Sequence, residues 1–102
     1  MDKLKKFELM EKIVRQLEDL KHSQQAIIEK IGRLEVDNFE LNDKKLENAL
    51  SDMHQRTADN FDSIEDLLSS FSDKTENYGE KNQVDKLKEQ QDIDNRNSGN
   101  QD

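Results

Sequence analysis

The stretch MEKIVRQLEDLKHSQQAIIEKIGRLEVDNFEL, from Met10 to Leu41, keeps a seven-residue apolar repeat for more than four heptads, with no Pro and a single Gly. Lettered with Met10 at position a, the a series is Met10, Leu17, Gln24, Ile31 and Asn38, and the d series is Ile13, Leu20, Ile27, Leu34 and Leu41. Eight of these ten residues are large and apolar. This period belongs to an α-helix with one apolar seam, which a lone helix cannot bury. The stretch therefore predicts a coiled-coil helix covered by a copy of itself, by the later part of this chain or by another helical protein.

Two a positions are polar, Gln24 and Asn38. A buried amide at a is costly unless it meets another amide, so it selects register and oligomer state. Asn38 is accordingly the expected register residue, or else marks the end of the seam. Lys30 at g and Glu35 at the following e are placed to pair between chains. Leu9, Val14 and Ile28 at g and e positions widen the stripe towards what three or four packed helices need. Gly32 falls at b, outside the seam.

Upstream, Asp2 can cap a first turn in which Lys3, Lys5 and Lys6 alternate with Leu4 and Phe7. An apolar side with basic neighbours fits a membrane-surface helix. Against that, Asp2, Glu8 and Glu11 each stand four residues before Lys6, Lys12 and Arg15. Such pairs make a solvated helix face and add about 0.3 to 0.5 kcal/mol each. The membrane reading is the minor one.

Downstream the phase changes. A second repeat runs through Leu46, Leu50, Met53, Thr57, Ile64, Leu67 and Phe71, but Leu41 to Leu46 is a step of five. The absence of Gly and Pro at the junction favours an unbroken helix, roughly 90 Å long from Met10 to Phe71. Asp37-Asn38 and Asn42-Asp43, all able to cap helix ends on either side of the junction, favour a turn and an antiparallel hairpin instead. The second segment is acidic outside its stripe, through Asp52, Asp59, Asp62, Glu65 and Asp66.

Of 24 Leu, Ile, Val and Phe residues, only Val84, Leu87 and Ile93 lie after residue 73. Residues 74–102 thus read as a disordered polar tail, with a short helix around residues 83–91 that could fold on a partner. The expected organisation is a first helix over 1–41, a second helical segment over 42–73 and this tail. The fold class is all-α.

The same composition limits function. With 39% of residues charged, 30% apolar and a net charge of −8, the 102-residue chain has little material for a globular core with a ligand cavity. No basic cluster is present to neutralise phosphates, so direct nucleic-acid binding is not expected. Without Cys there are neither disulfides nor thiolate metal sites. The longest apolar run, Ala26-Ile27-Ile28, is too short for a membrane span or a secretory signal, and a cytoplasmic location is the default expectation. His22 with Glu18 and Asp19 has the spacing of helical metal ligands or of an acid–imidazole pair, but two or three such groups at an outer heptad position do not make a site. Neither a nucleophile motif nor a phosphate loop occurs, so no enzymatic activity, cofactor, metal or small-molecule substrate is expected.

Three functional classes follow. The first is an oligomerisation or adaptor module using Met10, Ile13, Leu17, Leu20, Ile27, Ile31, Leu34 and Leu41 together with Leu46, Leu50, Met53, Ile64 and Leu67. The second is an acidic inhibitor or nucleic-acid mimic presenting Asp52, Asp59, Asp62, Glu65 and Asp66 to a basic protein surface. The third is a peripheral membrane element led by the first helix. The first class is the expectation.

Overall fold

The computed structural model describes residues 1–99. They form three helices, α1 (Lys3–Leu41), α2 (Lys44–Lys81) and α3 (Val84–Gly99), with no strand among the described residues. The fold is all-α, as the periodicity predicts.

α1 starts where the Asp2 carboxylate accepts the Lys5 amide at 2.8 Å, the expected cap of an otherwise unsatisfied first-turn donor. It ends at Asn42, which takes the left-handed conformation with φ 57°, a conformation Asn tolerates better than other residues with a β-carbon. Asp43 then caps α2, its Oδ1 accepting the Leu46 amide at 2.8 Å. The unbroken helix favoured from the absence of Gly and Pro is therefore replaced by a two-residue turn. The physical reason is phase. Leu50 follows Asn38 by twelve residues, which in one helix would set their apolar faces about 120° apart. Folding at Asn42-Asp43 lets both faces be covered.

The chain divides into two compact units, Arg15–Ser69 and Met1–Val14 with Ser70–Asp102. In the first, α1 and α2 run antiparallel, with Glu35 meeting His54 and Lys21 meeting Glu65. Ile31, Leu50 and Ile64 are its buried apolar residues, and Asn38 is buried with them. In the second, the start of α1, the end of α2 and α3 pack together. Met10, Thr75 and Val84 are buried there, and the Phe7 ring lies so close to Gly79 that a β-carbon at that position would stand 2.8 Å from Cε2. Lys88 reaches over the Phe7 ring, 5.3 Å from its centroid, and Lys6 over Tyr78 at 5.1 Å. Each such contact contributes about 0.5 to 1 kcal/mol at an exposed site.

This second unit differs from the tail expected from residue 74 onward. α2 continues to Lys81, Gln83 turns the chain with φ 51°, and α3 begins at the buried Val84. The tail's few apolar residues are too sparse for a core of their own. They need only complete one begun by Leu4, Phe7, Met10 and Val14. The part of the expected tail at residues 100–102 lies outside the described residues.

A candidate interaction surface on the hairpin

Within Arg15–Ser69 the two helices meet along a and e positions. On α1 the covered residues step through Leu17, Lys21, Gln24, Ile28, Ile31, Glu35 and Asn38; on α2, with Leu50 also at a, they step through Leu50, His54, Thr57, Phe61, Ile64 and Leu68. The expected seam of a with d is thus split. The a residues Leu17 and Ile31 face the hairpin, whereas the d residues Leu20, Ile27, Leu34 and Leu41 are 44, 41, 51 and 71% exposed. The same holds on α2, where Leu50 and Ile64 are buried while Leu46, Met53 and Leu67 are 37, 42 and 52% exposed. In the other unit Met10 is buried and Ile13 half-buried. A helix with apolar residues at a, d and e presents an arc too wide for a single neighbour to cover.

The exposed d residues form two ridges on one side of the hairpin. The contacts of Glu35 with His54 and of Lys21 with Glu65 set the antiparallel register. Leu41 is thereby level with Leu46, Leu34 with Met53, Ile27 with Asn60, and Leu20 with Leu67. Because successive residues rotate by about 100°, d lies to the same side of the a/e seam on both strands of an antiparallel pair. A groove of about 420 Å³ joins the ridges at mid-length, with Gln24, Ile27 and Ile31 from α1 and Met53, Arg56, Thr57 and Asn60 from α2 on its walls. Gln24 thus sits half-buried beside the groove. Asn60 interrupts the α2 ridge.

Asn38 stands at the end of the α1 seam and bonds across the turn. Its amide closes the turn, donating from Nδ2 to the Asp43 carbonyl at 3.1 Å and accepting the Asp43 amide on Oδ1 at 3.2 Å. Its carbonyl accepts the Asn42 amide at 2.6 Å. Within the chain these bonds fix the geometry of the turn between α1 and α2. Glu35 meets His54 Nδ1 at 2.7 Å across the hairpin. Sequence reasoning missed that pair because nothing local announces a contact nineteen residues apart.

The acidic residues are all exposed and lie off the ridges. Asp52 pairs with Arg56 at 3.1 Å, Asp59 accepts from Gln55 at 2.9 Å, and Glu65 lies 3.8 Å from Lys21. Asp62 and Asp66 stand beside them on the outer faces of α2. The apolar side of residues 4–14, which a membrane-surface helix would present to lipid, is largely covered in its own unit through Leu4, Phe7, Met10 and Val14. Among the described residues no helix is long and apolar enough to cross a membrane, and no group of three or more His, Asp or Glu side chains is arranged to hold a metal ion. No protein-family model, no curated protein and no solved structure matches this chain.

Proposed function

We propose that the chain is a non-enzymatic interaction module, a coiled-coil type of oligomerisation or adaptor element that works by packing its d ridges against another helical surface. The observation that carries this reading is the pair of ridges itself. Large apolar side chains repeating at d on two adjacent helices, left over a third exposed and interrupted only at Asn60, form an apolar side of the kind that marks protein–protein contact sites. The seven-residue spacing also bears on the partner's shape, since one apolar knob every two turns matches the repeat of another heptad helix.

A photo-crosslinking amino acid placed at Leu34 or Met53 tests this in cells, with the outer-face position Asp62 as control. The expected result is discrete adducts, to a second copy or to a helical protein, from positions 34 and 53 and none from 62. Equal or absent crosslinking at all three positions would overturn the reading.

A further inference from the structure

We infer that the occupant of the ridged face is a second copy of this chain, and that two hairpins stack face to face, related by a two-fold axis, into an antiparallel four-helix bundle. This deepens the interaction-module reading and rests on it.

Three observations select a copy over another partner. The first is charge. Residues 15–69 carry seven Lys or Arg and thirteen Asp or Glu, a net of −6. The d and g positions that make up the ridged face hold only Lys30, Arg56 and Asp37 as charged groups among their fifteen residues, a net of +1. Asp37 is the one acidic side chain on this side and two basic ones outweigh it, so a second acidic hairpin can approach without strong like-charge repulsion. A strongly basic partner would instead be drawn to the outer faces.

The second is shape. Two ridges, level with each other heptad by heptad and separated by a groove, are the surface that a two-fold copy of itself also presents, and an isologous contact requires such self-complementarity. The g positions bordering the ridges include Ser23, Ala49 and Ser63, small enough for neighbouring helices to come within bundle distance.

The third is area. The seven exposed d side chains leave on the order of 600 Å² of apolar surface on this side, at the upper end for a monomer. A stable interface buries about 800 Å² per partner, so the ridges would supply most of it and the flanking g positions the rest. Covering it would also turn the thin two-helix core, in which no described side chain is fully buried, into a four-sided one.

Sedimentation equilibrium of the full chain from low to high micromolar concentration tests the inference, with circular dichroism to follow helicity. The parent is expected to dimerise reversibly. Leu34→Glu places a charge in the ridge and is expected to weaken the dimer by about 100-fold or more. Asn60→Leu completes the interrupted α2 ridge without touching the turn and is expected to tighten the dimer by about tenfold. This variant keeps the test valid even if Leu34→Glu fails to fold. A monomeric parent that stays monomeric after the Asn60→Leu change overturns the inference, as does a dimer indifferent to both changes. If that monomer still gives position-34 adducts with a different protein, self-pairing falls and the interaction-module reading stands. If it gives none, both fall.

Discussion

Alanine at Gly79 and alanine at Gly32 are the same chemical change in two surroundings, and the contrast measures how firmly the end of α2 packs on the first turns of α1. Each exchange raises helix propensity by about 1 kcal/mol. At Gly32 an added β-carbon meets nothing within 4 Å, so the full gain should appear. At Gly79 it would stand 2.8 Å from Phe7 Cε2, 3.2 Å from Cζ and 3.4 Å from Cδ2. Carbon atoms settle about 3.5 to 4.0 Å apart, so the ring must move by several tenths of an ångström. It has to do so beneath the Lys88 ammonium, whose carbon stem would shift with it. Overpacking of this kind costs about 1 to 3 kcal/mol. Set against the propensity gain, Gly79→Ala should end about 1 kcal/mol below the parent, and Gly32→Ala about 1 kcal/mol above it. Urea unfolding followed by circular dichroism at a common slope reads both. In a thermal melt each kilocalorie corresponds to about 4 to 8 °C for a chain of this size. Equal stabilisation by both variants would refute the argument, because it would mean that residue 79 has no neighbour to displace.

Three further outcomes follow from the same geometry. Asn38→Ala should cost about 1 to 2 kcal/mol at every protein concentration, because it leaves the Asp43 amide without its acceptor, while the Asp43 carbonyl keeps the Glu47 amide. A loss that appears only where the protein associates would return Asn38 to the role of an interchain register residue. Truncation after Asp73 should lower the melting temperature by several degrees, since it removes the cover over Phe7 and Met10 and with it roughly 2 kcal/mol or more of apolar burial; an unchanged melt would show that α3 contributes nothing. Leu20→Asp should reduce both helicity and oligomer size, because a charge on the ridge is uncompensated when the face is covered. Unchanged sedimentation would remove Leu20 from the interface.

The helices themselves were legible because their signals are local. A repeat of seven, the lack of Pro and the Asp2 cap are all read within a turn or two, and they predict a helix over α1 and where it starts. Asn42-Asp43 was legible as a set of capping side chains but not as a decision. A left-handed Asn followed by a capping Asp is one outcome, and continued helix is the other. What separates them is whether Ile31 gains Met53 and Thr57 of α2 as neighbours, which is a property of residues far apart in the chain. In residues 74–99 only a short helix around 83–91 was legible, for the opposite reason. Val84 and Thr75 contribute too little to signal a core, and become buried only because Phe7 and Met10 are already there.

By itself the sequence determines that this chain is helical, that its apolar residues run in heptad stripes too wide for an isolated helix, and that it lacks the motifs of catalysis or phosphate binding. Those properties follow from residue type and spacing within a few turns. Tertiary structure alone decides how the stripes are divided. Antiparallel pairing at the Asn42-Asp43 turn takes the a and e positions for the hairpin, because two cylinders touch along one line. It leaves Leu20, Ile27, Leu34, Leu41, Leu46, Met53 and Leu67 outside that line. The residues available to a partner are therefore those the fold could not cover, and only the folded hairpin distinguishes them from the rest of the heptad.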